Sequence, residues 1–455
     1  MNIERIHLEN FKCFKDISID CSKFTLLTGA NSSGKSSILY GLLGAIQTKN
    51  FPLYYSPNGN YVSMGDFGEL AYEHSSKSNF SIGLTLKNDK IISTFDSSYS
   101  ENDRTKLPRL QSFKFKSPTF TLDISKESKF QAAYELTPEN DDSFQFKTSE
   151  VMRNAMAGLL NAVDKSVMKE KAKKGVKPKR GWSVERTLER MFKYEKSGAF
   201  AFDDVTHLEK NLSENSILRG EFNVVTSMLS EFDRKFNYLS SFRLPPDRTY
   251  YQKAKSDLKV DKYGDNSVDQ ILEWEHGKSK KLKDLKLALR KLELLENIQS
   301  EKYGGGRFEM RVVPQKSKYS SSLCDVGFGV SQFLPILVAD YQLGKESTLA
   351  VSQPEIHLHP SVQANIADYM ADNAQTHSKR YVLETHSEYL INRFRLLIAK
   401  GKLKEEDVSV YFLAIRNGKS VCYPIHFLKN GKIKGAPKDF FKTYMMDVMD
   451  IAMAS

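Results

Sequence analysis

Eight residues near the start of the chain have the types and the spacing of a phosphate-binding loop. Gly29 to Ser36 read GANSSGKS and match the pattern G-x-x-x-x-G-K-[ST] at every fixed position. Glycines let such a loop turn tightly, so that its N–H groups and the N-terminus of the next helix point at phosphate oxygens. Lys35 would reach the β- and γ-phosphates of a nucleotide, and the Ser36 hydroxyl would bind Mg²⁺. The alternative is an ordinary glycine turn with an exposed lysine.

The segments on either side of the loop favour the nucleotide interpretation, because the loop must join a buried strand to a helix. Phe24 to Leu27 form an apolar run typical of a buried strand, and residues 36–46, SSILYGLLGAI, suit a buried helix. We therefore predict that ATP and Mg²⁺ bind here. The residues predicted to contact the nucleotide are Asn31, Ser32, Ser33, Gly34, Lys35, Ser36 and Ser37.

Further motifs are spread over most of the chain. They are NFKCF (10–14), FRLPPDRTYY (242–251), DVGFGVSQFLPIL (325–337), STLAVSQPEIHLHPSVQ (347–363), RYVLETHSEYLINRF (380–394) and NGKIKGAPKDFF (430–441). Together with the phosphate loop, these segments resemble the ABC-type ATPases of the OLD and SMC-related group. Residues 96–235 hold no motif that resembles this group.

This resemblance implies that two ATPase heads hold ATP between them, with the phosphate loop of one head facing a signature segment of the other. Here the signature would be residues 327–332, GFGVSQ, and Gly329, Ser331 and Gln332 would contact the nucleotide of a neighbouring copy. Small residues allow close backbone approach, and a hydroxyl and N–H groups donate to the γ-phosphate. The resemblance therefore implies a homodimer or a higher even-numbered assembly. Taken alone, the same string also suits a structural turn before an apolar helix.

Histidines near these motifs suggest different roles. His386 corresponds to the switch histidine of the resembled ATPases, which follows a strand and donates to the γ-phosphate; a cap or a core residue is the alternative. His357 and His359 stand two residues apart beside Glu355, which is a spacing that suggests a metal site. The HLHP string occurs in the resembled ATPases without metal, and further ligands with useful spacing are not evident, so we predict no metal there.

The segment that follows the predicted strand STLAV departs from the pattern of the resembled ATPases. In that pattern an acidic residue holds Mg²⁺, usually through water, and the next residue is Glu or Gln, which polarises the attacking water when it is Glu. Here Ser352 and Gln353 stand at these positions. A serine hydroxyl carries no charge, and a glutamine orients water without taking its proton. We therefore expect a weak metal contact from Ser352, catalytic candidates in Gln353, Glu355 and His386, and slow or absent ATP hydrolysis.

A narrower resemblance follows from the segment after Phe394, which holds no DxD string or equivalent nuclease set. The chain is thus unlike the OLD proteins that carry their own nuclease. It is similar to the PtuA-type ATPase subunits of Septu anti-phage systems, which work with an HNH nuclease, PtuB. This resemblance implies a regulatory subunit that controls a partner HNH nuclease. Two other functions stay open: a stand-alone DNA-repair or recombination ATPase that clamps DNA, and a nucleotide-binding scaffold without catalysis.

The composition favours a globular cytoplasmic protein. The 455 residues are 40% hydrophobic and 27% charged, with a net charge of +11. A run of about twenty apolar residues is not found, and the charged start MNIERIHLENF does not suit a signal peptide. The four cysteines are scattered, as in a reducing cytosol. We therefore expect no contact with a membrane.

Two lysine-rich segments suit contact with the phosphate backbone of DNA or RNA. Residues 165–180 are strongly basic, and a solvated loop is the alternative of equal weight. Residues 278–291 combine lysines with leucines at spacings of three and four, Leu282, Leu285 and Leu289. A solvated helix face is favoured for this second segment, because its leucines are expected to pack on a neighbouring helix.

The order of the elements predicts an α/β fold: a P-loop ABC-type ATPase head with a mixed sheet, split by a largely helical middle insertion. Residues 1–95 are expected to form the N-terminal ATPase lobe and residues 321–455 the C-terminal lobe. Residues 96–320 would form the insertion, β-rich and then helical and basic. Strands are predicted at FSIGLTL, FTLDI, STLAV, RYVLET and VSVYFLAI, and helices over residues 151–200 and 265–300.

Overall fold

The computed structural model describes residues 1–75, 77–88, 91–126, 129–136, 197–202, 227–253 and 259–440. The chain divides into two compact units, one formed by Met1–Phe113 with Val205–Ser455 and the other by Lys114–Asp204. These borders differ from the predicted ones at residues 95 and 320. The basic segment 165–180 and most of the helix predicted over residues 151–200 lie outside the described residues.

Strands and helices are numbered here along the chain. The strands are β1 (Asn2–Phe11), β2 (Phe14–Asp20), β3 (Phe24–Gly29), β4 (Phe80–Asn88), β5 (Ile91–Glu101), β6 (Pro108–Lys116), β7 (Phe120–Lys126), β8 (Phe130–Leu136), β9 (Ser197–Phe202), β10 (Phe236–Leu239), β11 (Tyr250–Tyr251), β12 (Leu295–Lys302), β13 (Arg307–Pro314), β14 (Ser321–Ser322), β15 (Thr348–Ser352), β16 (Arg380–Glu384), β17 (Val408–Arg416), β18 (Lys419–Phe427) and β19 (Ile433–Lys434). The helices are α1 (Lys35–Gln47), α2 (Phe67–Leu70), α3 (Ser267–His276), α4 (Lys280–Lys291), α5 (Phe328–Gln342), α6 (Pro360–His377) and α7 (Glu388–Ala399), and residues 227–234 are also helical.

The first unit contains a mixed sheet whose order is β10-β15-β16-β3-β17-β18-β19. The first five strands in this order, β10, β15, β16, β3 and β17, are parallel. Strands β18 and β19 run antiparallel to their neighbours. The predicted α/β fold with a mixed sheet is therefore confirmed. Because β3, β15 and β16 are parallel, their carboxyl ends meet at one edge of the sheet, where ligands bind in α/β folds. The register places Ser352 beside Glu384 across the β15–β16 pair.

One hydrophobic core joins this sheet to the later helices. It includes Phe24 of β3, Leu383 of β16, Phe333 of α5, Ile366 of α6 and Phe394 of α7, all buried. The apolar runs that predicted β3, β15, β16 and β17 pair as buried strands, because a parallel sheet is covered on both faces. This core therefore holds the carboxyl ends of the parallel strands in place.

The predicted helix over residues 265–300 is only partly correct. Helices α3 and α4 form, and Leu282, Leu285 and Leu289 of α4 are buried as expected. Residues 295–302 are instead strand β12, which pairs antiparallel with β13. Ile298 is fully buried on this strand, so tertiary packing outweighs the helical propensity of LENIQSEK.

The remaining sheets are antiparallel. In the first unit, β1 lies between β2 and β4, and β4 pairs with β5. A small sheet of β11, β13 and β12 also belongs to this unit, with β14 paired to β13. The second unit contains β7, β8 and β9 in that order. The strands predicted at FSIGLTL and FTLDI are thus confirmed as β4 and β7, whereas residues 197–200, included in a predicted helix, form part of β9.

Candidate functional site

The phosphate loop joins β3 to α1, and its glycines are required by close contacts. Gly29 has φ 131°, and a Cβ there would lie 1.9 Å from the carbonyl oxygen of Leu413 on β17. Gly34 has φ 100°, and a Cβ there would lie 2.4 Å from Cys13 Sγ and 2.6 Å from Phe14 Cζ. The NFKCF motif therefore supports the loop, since its side chains pack against Gly34.

Lys35 lies over its own loop. Its Nζ donates to the carbonyl oxygens of Gly29 at 3.1 Å and of Ala30 at 2.6 Å. Ser33 donates from its hydroxyl to the same Ala30 oxygen at 2.7 Å, and this hydrogen bond stabilises the turn of the loop. Burial lowers the pKa of Lys35, and the charge of Glu384 acts in the opposite direction. The ammonium group is thus partly desolvated, which strengthens its attraction for phosphate.

The loop opens into a cavity of about 610 Å³. Six of the seven predicted loop contacts line it, and Ser33 is the exception because it is fully buried inside the loop. Predicted catalytic residues Gln353 and His386 line the same cavity, from the ends of β15 and β16. Other elements add Lys12, Cys13, Tyr72, Glu384 and Lys419 to the lining.

A carboxylate lies at the predicted metal position. The Ser36 hydroxyl lies 2.9 and 3.0 Å from the two carboxylate oxygens of Glu384 and donates to them. The Ser352 hydroxyl donates to Glu384 Oε2 at 3.0 Å, and the Tyr238 hydroxyl lies 3.3 Å from Ser352 Oγ. Because a hydroxyl and a carboxylate are the oxygen ligands that suit Mg²⁺, the residues present fit this ion.

Gln353 is held by its backbone at the edge of the cavity. Its φ is 50°, in the left-handed region, and its N–H donates to the carbonyl oxygen of Glu384 at 2.6 Å. Arg243 donates from Nη2 to the Gln353 carbonyl oxygen at 2.9 Å and from Nη1 to that of Ser352 at 3.2 Å. Arg243 is only 2% exposed, and burial lowers its pKa to about 10. This arginine therefore fixes the turn after β15.

Glu355 lies behind the cavity wall and does not line the cavity. Its Oε1 accepts from the N–H of His386 at 2.7 Å, and its Oε2 has no hydrogen-bond partner within the described parts of the chain. Burial raises the pKa of Glu355, whereas burial and the charge of Lys35 lower the pKa of His386. The neutral form of His386 is thus favoured at neutral pH, and Glu355 supports the turn that carries it.

The predicted signature forms the start of α5, outside the lining of this cavity. A Cβ at Gly329 would lie 2.4 Å from the carbonyl oxygen of His357. Ser331 is 5% exposed and donates to the carbonyl oxygen of Phe328 at 2.9 Å, and Gln332 donates to that of Arg243 at 3.1 Å. Contact of Gly329, Ser331 and Gln332 with a neighbour's nucleotide stays a prediction about an assembled state.

The histidines of the HLHP string have structural partners. His359 caps α6, since its Nδ1 accepts from the N–H of Ser361 at 3.3 Å. The ring of His357 packs edge-on against Phe328, with 5.1 Å between ring centroids. Across the described residues, no group of three or more His, Cys, Asp or Glu side chains is arranged to hold a metal ion.

The profile of one protein family matches most of the chain. The AAA ATPase domain profile matches residues 1–391. The chain belongs to this family. The matched part of this AAA ATPase domain includes the phosphate loop, the start of α5, the turn after β15 and His386. A search of curated proteins finds no match.

Solved structures similar to this AAA ATPase domain include heads of SMC proteins. The crystal structure of an SmcHead bound to the C-winged helix domain of ScpA is 11% identical, with a TM-score of 0.46 over 94% of this chain and 98% of that chain. A Pyrococcus furiosus Smc head with an extended coiled coil, bound to the C-terminal domain of ScpA, is 11% identical, with a TM-score of 0.41 over 99% and 98%. The SMC head domain from Thermotoga maritima is 8% identical, with a TM-score of 0.36 over 93% and 99%.

Two residues of the site were not identified from the sequence. Glu384 lies in the string RYVLETHSEYLINRF, in which only His386 was given a role. Arg243 lies in FRLPPDRTYY, which gave a resemblance without a role. The described helices include none that is long and apolar enough to cross a bilayer.

Proposed function

We propose that this AAA ATPase is an ATP-binding regulatory subunit that assembles through its nucleotide and turns ATP over slowly. The observation that carries the proposal is the convergence of the phosphate loop, Glu384, Gln353 and His386 on one cavity. Phosphate would bind to the loop amides and Lys35, and Mg²⁺ would bind beside Ser36. His386 would donate to the γ-phosphate, so the site would distinguish ATP from ADP.

A second copy would complete the site through the start of α5. The N-cap residue Gly327 has no side chain that could cap this helix, so N–H groups of the first turn and the positive end of the helix dipole would be available to an anion. Gly327 is exposed, and Phe328 beside it is 50% exposed. These two residues form an accessible surface at the N-terminal end of α5, whereas Ser331 is buried. A γ-phosphate held by a neighbouring copy would find N–H donors here.

The geometry of Gln353 supports slow hydrolysis. Its backbone is fixed by Arg243 and Glu384, so its side chain is presented to the cavity from a defined position. An amide orients water but takes no proton, and loss of a general base costs roughly two to four orders of magnitude in rate. ATP occupancy would then be the signal, with a homodimer or a higher even-numbered assembly while ATP is bound.

The finer proposal is a role in anti-phage defence, in which this subunit controls an HNH nuclease of the PtuB type. It rests on the resemblance to PtuA-type subunits. The test is to co-express the chain with an HNH nuclease of the PtuB type, purify the complex and measure DNA cleavage with and without ATP. Cleavage that depends on ATP and is altered by Lys35→Ala supports the proposal. A chain that never co-purifies with the nuclease contradicts it.

A DNA-clamping ATPase is the second candidate, favoured by the charge of α4. Its Lys280, Lys283, Arg290 and Lys291 are exposed, whereas Leu285 and Leu289 face the core. Phosphate contacts of this kind make binding weaken steeply with salt. Salt-dependent DNA binding by the chain alone, reduced by Lys283→Glu with Lys291→Glu, would favour this candidate. Binding that the two substitutions leave unchanged would remove α4 as a DNA contact.

Assembly can be tested with two glycines at opposite ends of α5. A Cβ at Gly327 or at Gly344 would meet nothing within 4 Å, so both positions accept an aspartate in the single chain. We expect sedimentation velocity to show an ATP-dependent dimer for the unaltered protein and for Gly344→Asp. Gly327→Asp should stay monomeric, because its carboxylate would face the neighbour's γ-phosphate. A monomeric unaltered protein with saturating ATP at micromolar concentration contradicts the proposal.

A further inference from the structure

We propose that Glu384 supplies the metal-side carboxylate that β15 lacks, and that the Mg²⁺ of the nucleotide site binds between Ser36 and this residue. The inference rests on the proposed function, because it needs a nucleotide in the cavity. It concerns a different strand from the one that carries the acid in the resembled ATPases. In this chain the carboxylate lies at the end of β16, whereas Ser352 lies at the end of β15.

The sheet order explains why a carboxylate on β16 can replace one on β15. Strand β16 lies between β15 and β3, so its end is the direct neighbour of the strand that carries the phosphate loop. Ser352 and Glu384 are register partners, and adjacent strands lie about 4.8 Å apart. A glutamate at position 384 therefore starts one strand nearer to Ser36 than any residue at position 352.

Glu384 contacts the hydroxyl of Ser36, which is the predicted Mg²⁺ ligand of the phosphate loop. Both of its carboxylate oxygens accept from Ser36 Oγ, at 2.9 and 3.0 Å. A hydroxyl that donates its proton to a carboxylate keeps its lone pairs directed elsewhere, where a cation can use them. Glu384 is 6% exposed and lines the cavity, so its charge acts in a partly desolvated place.

The residues at positions 352 and 384 fit each other. Ser352 donates to Glu384 Oε2 at 3.0 Å and lies 3.3 Å from the Tyr238 hydroxyl, so the carboxylate receives a second neutral donor. An acidic residue at position 352 would place a second carboxylate next to the first, and the two charges would repel each other. Ser352 therefore supports Glu384 as a neutral hydrogen-bond donor and need not bind the metal itself.

The consequence is a site that would bind Mg²⁺ but would lack the base that activates water. The carboxylate for Mg²⁺ is present on β16, whereas Gln353 still stands where a water-activating glutamate would be. Tight binding of the magnesium–ATP complex and slow hydrolysis thus follow from the same set of residues. Loss of Glu384 should weaken the metal contribution while it leaves the phosphate loop intact.

The test compares ATP affinity in Mg²⁺ and in EDTA by isothermal titration calorimetry, without reference to turnover. We expect the unaltered protein to bind ATP at least about tenfold more tightly with Mg²⁺. Glu384→Gln should reduce this Mg²⁺ advantage by roughly 10- to 100-fold, as for other changes beside a bound metal. If the advantage of the unaltered protein is smaller than this factor, the variant should show no advantage. Its affinity in EDTA should stay close to that of the unaltered protein. Glu388→Gln makes the same change in the first turn of α7, outside the cavity lining, and should keep the full advantage.

A charge swap gives a second, independent readout. Glu384→Ser should lose the Mg²⁺ advantage, and Glu384→Ser combined with Ser352→Glu should recover part of it. An undiminished Mg²⁺ advantage in either Glu384 variant would overturn the inference, as would equal affinities of the unaltered protein in Mg²⁺ and EDTA. Lys35→Ala separates the two claims: it should weaken ATP binding in both buffers, and its failure to do so would count against the proposed function itself.

Discussion

Arg243 and Gln332 join the predicted signature to the edge of the nucleotide cavity. Gln332 of α5 donates from Nε2 to the carbonyl oxygen of Arg243 at 3.1 Å, and the guanidinium of Arg243 donates to the carbonyl oxygens of Ser352 and Gln353. The start of α5 and the turn after β15 are therefore connected through one buried residue. A partner that contacts α5 would therefore be linked to Gln353 through Arg243.

Replacing Arg243 by leucine tests this connection. The change keeps an apolar stem but removes the donors to the carbonyl oxygens of Ser240, Ser352 and Gln353. Buried acceptors without donors are costly, so we expect the free energy of unfolding to fall by about 2–5 kcal/mol. Urea unfolding followed by circular dichroism measures the change. Arg248→Leu is the control, because Arg248 is exposed and pairs with Asp325 at the surface. Equal stability of Arg243→Leu and the control would show that Arg243 does not support the turn.

Hydrolysis should rise when Gln353 becomes a glutamate. With Glu384 already in place, a general base is the missing part, so Gln353→Glu alone should speed phosphate release by about tenfold or more. The unaltered protein should release phosphate at well below about one per second. Gln375→Glu, an exposed position on α6, should change nothing. Fast release by the unaltered protein, lost in Lys35→Ala, would mean that Gln353 does not limit the reaction.

ATP binding should depend on pH through His386. Its pKa is lowered in the free protein, so the imidazole is mostly neutral at pH 7. A γ-phosphate beside it favours the protonated form, and binding of the magnesium–ATP complex should therefore take up protons and tighten as the pH falls from 8 to 6. Calorimetry in buffers with different ionisation enthalpies measures this uptake. His386→Asn should abolish it, and ADP should show less of it. Identical proton uptake in His386→Asn would place the titrating group elsewhere.

Glu355 should also make the stability of the folded state depend on pH. Burial raises the pKa of Glu355 above its ordinary value of 4.5, so its contribution to stability is present below that value and is lost as the pH rises through the folded pKa. Glu355→Gln keeps an acceptor for the N–H of His386 and removes the buried charge. Its free energy of unfolding relative to the unaltered protein should therefore increase from pH 4.5 to pH 8. Glu406→Gln, at an exposed ion pair, is the control. A difference that is flat with pH would contradict the assignment.

Local patterns were sufficient for the elements that carry the site. The spacing of glycines and the apolar runs around them predict β3, the phosphate loop and α1 because each depends on residues close in sequence. The apolar runs STLAV, RYVLET and VSVYFLAI likewise predict β15, β16 and β17. The helix predicted over residues 265–300 ends in strand β12 instead, since its pairing with β13 is decided by tertiary contacts.

Long-range contacts explain what the sequence did not show. Ser36 and Glu384 are 348 residues apart, and Arg243 is 109 residues from Ser352. Their proximity depends on the order of strands in the mixed sheet, which no single segment encodes. Glutamate in the string ETHS has no local feature that distinguishes it from a solvated acid. Its contact with Ser36 becomes visible only when β16 is placed between β15 and β3.

Calorimetry of ATP binding with Mg²⁺ tests the central claim most directly. The unaltered protein should bind one ATP per chain, and Lys35→Ala should weaken binding by about 100-fold or more while its circular dichroism spectrum stays unchanged, because charge-assisted contacts to the phosphates are lost. Lys49→Ala, an exposed lysine just after α1, should bind as the unaltered protein does. Equal affinity of Lys35→Ala and the unaltered protein would contradict the account.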